Sequence, residues 1–158
     1  MYRAGIGYDV HRFAKGRKLI LGGVEIAHSH GLEGHSDADV LVHSIADALL
    51  GAIGETDIGH HFPNTDETIR GIDSMEILKR VAAILATNNS RVINVDATLI
   101  AEAPKIAPHL SAMRNNIAQA LQTDMSQIGI KATTNEGLGA LGRGEGMAAI
   151  AVATVEME

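Results

Sequence analysis

The chain has 158 residues, of which 46% are hydrophobic and 20% are charged, a composition that suits one ordinary globular domain over residues 1–158. Its formal net charge is −6, it has no run of lysine or arginine, and only 3% of its residues are aromatic, which argues against nucleic-acid binding and against a broad basic surface for anionic membranes. Cysteine is absent, so disulfides are excluded and any bound metal needs nitrogen and oxygen ligands.

Hydropathy along the chain predicts no membrane segment. No apolar stretch approaches the roughly 20 residues that span a bilayer. The N-terminus lacks the basic region and the apolar region that follow one another in a secretory signal. We therefore expect a cytoplasmic protein without a membrane partner.

The first predicted element is a strand over residues 2–11, where the residue types alternate. One face, which we predict to be the core face, comprises Tyr2, Ala4, Ile6, Tyr8 and Val10. The other face has almost no side chains at Gly5 and Gly7, and it then presents Asp9 and His11 together.

Two short strands, over residues 18–21 and 23–26, precede a predicted helix over residues 38–53. The apolar stripe of this helix comprises Leu41, Ile45, Leu49 and Ile53. Residues 54–72 form a long polar connection, which in a compact domain is often functional or mobile. A second helix begins at Asp73, where Asp73 and Glu76 resemble a capping box. Its apolar stripe comprises Ile77, Leu78, Val81, Ile84 and Leu85.

The remaining elements are a strand over 92–101, a third helix with Pro108 in its first turn, a strand over 128–134, a glycine-rich loop over 137–146 and a strand over 147–155. The inner face of the third helix comprises Leu110, Met113, Ile117 and Leu121. The last strand is apolar on both faces, and three helices are too few to cover both faces of a sheet.

These elements predict an α+β fold with two layers. The sheet is mostly antiparallel or mixed, with helices on one face, and its open face packs on another subunit. The alternative is that the small alanines of the last strand are simply buried within a monomer.

A candidate metal site joins the first strand to the first helix. Asp9 and His11 on the strand, together with His43 on the helix, offer two nitrogens and one carboxylate. Three protein ligands with one open position is the arrangement of catalytic zinc. Asp39 and Asp47 flank His43 at intervals of four residues and are candidates for orienting an imidazole. The alternative is that this side of the helix is merely solvated.

The segment from Thr133 to Gly146, TTNEGLGALGRGEG, suits phosphate binding. Its glycines let backbone N–H groups turn toward an anion, its threonines and Arg143 suit phosphate oxygens, and Glu136 suits a divalent cation. Gly137 to Gly142 also matches the spacing of dinucleotide-binding and P-loop motifs, but a strand follows instead of a helix, and Arg143-Gly144 replaces Lys-Ser/Thr. A flexible hairpin loop is the alternative.

Six sequence blocks follow one another from about Arg3 to the last strand. They are GYDVHRF, LILGGVEI, GLEGHSDADVLVHSIADALLGA, DIGHHFPNTD, NVDATLIAEAPKIAPH and IKATTNEGLGALGRGEG. In content and order they resemble the 2-C-methyl-D-erythritol 2,4-cyclodiphosphate synthases, a match far more specific than any single motif. The resemblance implies a homotrimer whose sheets pack around a threefold axis, with an active site at each junction of two subunits.

The resemblance also implies the metal ligands and the reaction centre. Asp9, His11 and His43 would bind Zn²⁺, with Asp9 and His11 also facing the substrate. Glu136 would bind a second divalent ion, Mg²⁺ or Mn²⁺, which bridges the diphosphate. The reaction centre would comprise His35, Ser36 and Thr134, in which His35 and Thr134 are the catalytic groups that position the transition state.

Three further segments would bind the substrate by the same resemblance. The methylerythritol phosphate loop comprises Asp57, Ile58, Gly59, Phe62, Pro63, Asn64, Thr65 and Asp66. The cytidine part would contact, from a neighbouring subunit, Ala101, Glu102, Ala103, Pro104, Lys105, Ile106 and Ala107. Its phosphates would lie beside Thr133, Thr134, Asn135 and Glu136, with Ala140 and Arg143 near the phosphates or the central channel.

The implied reaction converts 4-diphosphocytidyl-2-C-methyl-D-erythritol 2-phosphate into the 2,4-cyclodiphosphate and CMP, in the non-mevalonate route to isoprenoid precursors. The attacking and the attacked groups are both anions, so positioning and charge neutralisation matter most and no protein nucleophile is needed. Two alternatives are a metal-dependent phosphohydrolase, whose product would be linear, and a non-catalytic nucleotide-binding trimer.

The chain departs from the usual family pattern in two places. Asn64 replaces the aspartate of FPDTD, and Asn135, Gly137 and Ala140 replace the Thr, Lys and Phe of TTTEKLGF. Ala140 also removes a bulky side chain with which some members hold isoprenoid diphosphates in the central channel.

Overall fold

The computed structural model, which describes residues 1–158, contains seven strands, five α-helices and three short 3-10 helices. The strands are β1 Tyr2–Lys15, β2 Leu19–Leu21, β3 Val24–Ile26, β4 His30–Leu32, β5 Ser90–Ile100, β6 Ile128–Thr133 and β7 Gly146–Met157. The helices are α1 Val40–Ile53, α2 Ile58–His61, α3 Ser74–Thr87, α4 Leu110–Leu121 and α5 Gly139–Gly142. None of the helices is both long enough and apolar enough to cross a bilayer.

The main sheet has five strands in the order β4-β1-β7-β5-β6. β7 is antiparallel to both of its neighbours, β1 and β5, whereas β5 and β6 are parallel and are joined by a connection that contains α4. β2 and β3 pair separately as a small antiparallel hairpin. The predicted α+β class and mixed sheet are therefore confirmed.

The helix α1 packs against the glycine face of β1. A Cβ atom added at Gly5 would lie 2.1 Å from the carbonyl oxygen of Ala48, and one added at Gly7 would lie 2.0 Å from that of Ser44. Only glycine lets the two backbones approach this closely. The prediction that the opposite face of β1 is the core face was wrong for the single chain, because α1 occupies the glycine face instead.

The opposite face of the sheet exposes an apolar band. Ile6 and Tyr8 of β1 lie beside Val152 and Ile150 of β7 in the ladder. These four side chains are between 38% and 70% exposed, although they occupy the centre of the sheet. The alternate residues of β7 are buried under α1, so its two apolar faces have different surroundings.

Burial of α1 extends well beyond the predicted stripe. Twelve of its residues are buried, including the four of the stripe, because α1 lies between the sheet and α3. Asp39 is 0% exposed and His43 is 6% exposed, so the alternative of a solvated helix face is wrong. The sequence pattern did not show the second layer that covers these polar side chains.

The helix α3 begins where the sequence predicted, but without the full capping box. The carboxylate of Asp73 accepts a hydrogen bond from Met75 N–H, whereas Glu76 pairs with Arg80. The predicted stripes of α3 and α4 are buried except at Ile84 and Leu110, which are partly exposed. The loops predicted over 54–72 and 137–146 contain the short helices α2 and α5. A helix of four residues is too short to produce a hydrophobic period in the sequence.

Candidate active site and metal centre

Three potential metal ligands meet where β1 crosses α1. Asp9 Oδ2 lies 2.9 Å from His11 Nε2 and 3.1 Å from His43 Nδ1, and the ligand atoms of the three residues all lie within 4.8 Å of one another. The period of two along β1 puts Asp9 and His11 on the face that Gly5 and Gly7 open to α1. The close approach of α1 then brings His43 to the same point.

The electrostatics of the cluster favour a cation. Burial alone would raise the pKa of Asp9, but the imidazoles of His11 and His43 outweigh it and hold that pKa well below its usual range. Burial would lower the pKa of His43, but its hydrogen bond to the Asp9 carboxylate and the charge of Asp9 raise it. The cluster therefore keeps a carboxylate between two imidazoles.

The donor atoms fit a bound divalent metal. His11 Nε2 is buried and has no hydrogen-bond partner, although it lies close to Asp9 Oδ2. A buried polar atom without a partner is costly, and a shared ion would satisfy the nitrogen and the oxygen together. Two imidazoles and one carboxylate form a ligand set typical of zinc with an open fourth position.

Neither aspartate that flanks His43 on α1 contacts the three ligands through its side chain. Asp39 caps α1 by accepting from Val42 N–H, and it also accepts from Gly22 N–H and Gly23 N–H of the β2–β3 turn. Burial and the charge of Asp37 raise the pKa of Asp39 to about 6.

Asp47 accepts a hydrogen bond of 2.8 Å from Ile58 N–H and so ties α2 to α1. Burial raises the pKa of this carboxyl group.

A cavity of about 240 Å³ adjoins the cluster. Of the predicted site residues, it is lined by Asp9, His11, His35, Ser36, His43, Ile58, Gly59, Phe62 and Asn64. His35 Nε2 is buried and lacks a partner, which leaves it free for a ligand. Sequence reasoning missed Arg17, which donates to the carbonyl oxygens of Gly34 and Ser36 and so fixes the loop on both sides of His35.

Four residues of the predicted methylerythritol phosphate loop do not line the cavity: Asp57, Pro63, Thr65 and Asp66. Asp57 accepts from His60 N–H at the start of α2, and Asp66 accepts from Thr68 N–H in the next turn. The two carboxylates thus shape the loop in this single chain.

The segments 101–107 and 133–136 form a second cluster. The parallel strands β5 and β6 end side by side, where Ala101 N–H donates to the carbonyl oxygen of Thr133. Glu102 accepts from Asn135 N–H at 2.8 Å, while Thr134 and Glu136 are exposed. None of these residues lines the cavity beside Asp9, so within one chain this second cluster is separate from the residues around that cavity.

The two predicted residues of the glycine-rich segment lie elsewhere. Ala140 borders a shallow hollow with Val10, His11 and Arg12, and Arg143 pairs with Glu145 at 2.6 Å. Neither contacts the second cluster through a hydrogen bond. Their predicted place near phosphates stays a prediction.

Comparison with known proteins gives one consistent result. The model of the YgbB family matches residues 2–156. A protein of Chlorobium luteolum named 2-C-methyl-D-erythritol 2,4-cyclodiphosphate synthase is 59% identical over 154 residues, which cover 98% of both chains. A protein of the same name from Chloroherpeton thalassium is 56% identical over 98% of both chains.

Solved structures agree with the sequence comparison. IspF of Plasmodium falciparum, in a CDP complex, superposes with a TM-score of 0.86 at 34% identity, covering 99% of this chain and 97% of that one. The bifunctional IspDF of Campylobacter jejuni superposes with a TM-score of 0.95 at 42% identity, covering 100% of this chain but only 43% of that longer one. By its sequence and its fold, the chain belongs to the YgbB family.

Proposed function

We propose that the protein converts 4-diphosphocytidyl-2-C-methyl-D-erythritol 2-phosphate into 2-C-methyl-D-erythritol 2,4-cyclodiphosphate and CMP, and so acts as a CMP-forming phosphorus–oxygen lyase of isoprenoid precursor synthesis. The observation that carries the proposal is the Asp9–His11–His43 cluster beside its cavity. It lies in a chain whose relatives are named 2-C-methyl-D-erythritol 2,4-cyclodiphosphate synthase. The CDP complex of the Plasmodium falciparum IspF supports a cytidine diphosphate ligand.

The reaction forms one bond and breaks another at the same phosphorus. An oxygen of the 2-phosphate attacks the β-phosphorus, while the bond from that phosphorus to the bridging oxygen breaks and CMP leaves with the electron pair. Because both reactants are anions, the residues must neutralise charge and hold the two phosphates in line. Bound Zn²⁺ and a second divalent ion, Mg²⁺ or Mn²⁺, would supply Lewis-acid charge neutralisation.

Different residues of the chain bind the metals, position the phosphates and enclose the substrate. Asp9, His11 and His43 would hold the zinc, and Glu136 would be a ligand for the second ion. His35, with its free Nε2, and Thr134 position the reacting phosphates. The loop over 57–66 encloses the methylerythritol phosphate. No side chain needs to act as a nucleophile, because the substrate supplies its own.

We further propose that the protein is a homotrimer with each active site shared by two subunits. The exposed apolar band of Ile6, Tyr8, Ile150 and Val152 supports this assembly, because such a patch on a sheet face favours a protein partner. The separation of the cytidine residues at 101–107 from the metal cluster also supports it. A second copy can bring one group to the other.

Replacing Ile6 with glutamate is expected to dissociate the trimer, because a charge at the centre of the apolar band would be desolvated without a partner. Sedimentation should then give the mass of one chain, while each chain still binds zinc. Turnover should fall at least 100-fold, since a separate chain lacks the second half of the site. Ala83→Glu, on the exposed side of α3, is the control and should remain trimeric. An Ile6→Glu protein that is trimeric and active would contradict the proposed interface.

Phosphorus NMR of the purified protein with the diphosphocytidyl substrate tests the function itself. We expect cyclic diphosphate and CMP, no product after chelation, and recovery when zinc and magnesium are restored. A linear product would establish the phosphohydrolase alternative. Substrate that binds to metal-loaded protein without change would establish the non-catalytic trimer.

Zinc affinity is expected to fall as the pH is lowered. The Asp9 carboxylate raises the pKa of His43 in the metal-free protein, and zinc can bind only after Nδ1 loses its proton. Below that pKa the affinity should therefore drop about tenfold per pH unit, and above it the affinity should level off. Titration calorimetry in buffers of different ionisation enthalpy should show about one proton or more released per ion at the lower pH. An affinity that stays constant from pH 6 to 8 would contradict this description of His43.

A further inference from the structure

On the side opposite the metal cluster, His43 contacts the buried Ser74, which in turn contacts the partly exposed Asp37. Its Nε2 lies 2.9 Å from the hydroxyl oxygen of Ser74, the first residue of α3. Ser74 is fully buried, and its hydroxyl group also hydrogen bonds to Oδ1 of Asp37. A chain of contacts therefore runs from Asp37 through Ser74 and His43 to the metal ligand Asp9.

The direction of these hydrogen bonds follows from the donors around Asp37. Its carboxylate accepts from Ser74 N–H at 2.9 Å and from Asp39 N–H at 3.2 Å, so it acts as an acceptor throughout. The Ser74 hydroxyl must therefore donate its proton to Asp37. Its lone pairs then remain for His43, and Nε2 of His43 must carry the hydrogen.

Ser36 is the other neighbour of His43 Nε2. Its hydroxyl oxygen lies 3.2 Å from that nitrogen, but it already accepts from Ala38 N–H at 3.0 Å. Ser74 is nearer and has its own proton committed to a carboxylate. It is therefore the stronger acceptor for the imidazole N–H.

We propose that Ser74, oriented by Asp37, is a positioning residue that holds His43 as the tautomer with hydrogen on Nε2. A neutral imidazole has one N–H and one lone pair, so this tautomer leaves the lone pair of Nδ1 for the metal. The hydrogen bond also fixes the plane of the ring. The inference rests on metal binding at the site, which is part of the proposed function.

Ser74→Ala tests the proposal through zinc affinity. Loss of such an outer partner typically weakens metal binding 10- to 100-fold, and we expect a change of about that size in competition with a chromophoric chelator. Ser44→Ala is the matched control, because it removes a buried hydroxyl that donates only to the carbonyl oxygen of Leu41. It should bind zinc as the wild type does. Should Ser74→Ala fail to fold, Ser74→Cys keeps the volume but offers a weak acceptor, and it should weaken zinc in the same direction.

The tautomer gives a readout that a purely structural role would not change. In imidazole ¹⁵N NMR of the zinc-loaded wild type and Ser44→Ala, a protected Nε2–H of His43 should be visible. In Ser74→Ala that proton should exchange with water and its signal should disappear. Unchanged zinc affinity and an unchanged Nε2–H signal in Ser74→Ala would overturn the proposal. A wild-type protein that binds no zinc would instead overturn the metal-dependent function.

Discussion

Replacing His43 with alanine is expected to leave the protein without bound zinc and without turnover. In the proposed zinc site His43 is one of three ligands, and its Nδ1 lies 3.1 Å from Asp9 Oδ2. Two ligands from one strand cannot complete a three-ligand catalytic site. Loss of an outer hydrogen-bond partner of a metal ligand typically lowers metal affinity or activity about 10- to 100-fold. Removal of the ligand itself should therefore lower zinc affinity and turnover about 1000-fold or more. Metal analysis and phosphorus NMR measure the two losses.

The assembly and the fold should survive this change. The apolar band at Ile6 and Tyr8 lies on the opposite face of the sheet, so the trimer is expected to persist by sedimentation. His28→Ala is the control, because His28 is exposed and lies outside the cavity. It should retain zinc and activity. One zinc per chain in His43→Ala would disprove the ligand assignment.

Replacing Gly7 with alanine is expected to destabilise the protein more than an ordinary surface substitution. The new Cβ would lie 2.0 Å from the carbonyl oxygen of Ser44 and 2.7 Å from the backbone nitrogen of Ala48. Neither atom can move without displacing α1, so the cost should reach about 3 kcal/mol, the upper range for overpacking. Alanine also reduces the conformational entropy of the unfolded chain, but this offsets only about 0.4–1 kcal/mol of the destabilisation. Denaturant unfolding at equal chain concentration measures the difference.

Gly51 provides the matched control on the facing helix. An added Cβ there would have only the carbonyl oxygen of Ile6 nearby, at 3.9 Å, and Gly51 is exposed within α1. Gly51→Ala should therefore stabilise the protein by about 0.5–1 kcal/mol through helix propensity. Displacement of α1 in Gly7→Ala should also weaken zinc, because α1 carries His43. A Gly7→Ala protein as stable as the wild type would contradict the close packing of α1 on β1.

Local patterns in the sequence predicted most of the elements. The period of two marked β1, the period of 3.6 marked the buried stripes of α1, α3 and α4, and the turn at 22–23 separated two short strands. The short helices α2 and α5 were not predicted, because a single turn of helix shows no hydrophobic period. The strand β4, which pairs with the end of β1, was not predicted either, because its three residues show no alternation and, unlike β2 and β3, it does not adjoin the turn at Gly22–Gly23.

Residue type and spacing offered a metal site at Asp9, His11 and His43 only as one of two interpretations. Asp9 and His11 share a face because side chains alternate along a strand. The ligand set was therefore available as a hypothesis, and the family resemblance made it specific. What the sequence could not give was the partner on the far side of His43, since Ser74 lies 31 residues away and has a signal no stronger than that of any serine at a helix start.

The sequence by itself determined the class of the fold, the strand and helix that carry Asp9, His11 and His43, and the family of the chain. Only the tertiary structure decided which face of β1 is core, because the alternation of a strand is the same whichever face a helix covers. It also decided that Asp39 and His43 are buried and that the residues at 101–107 and 133–136 lie apart from the cavity beside Asp9. These properties depend on contacts between distant segments, whereas hydrophobic periodicity reports only what neighbouring residues have in common.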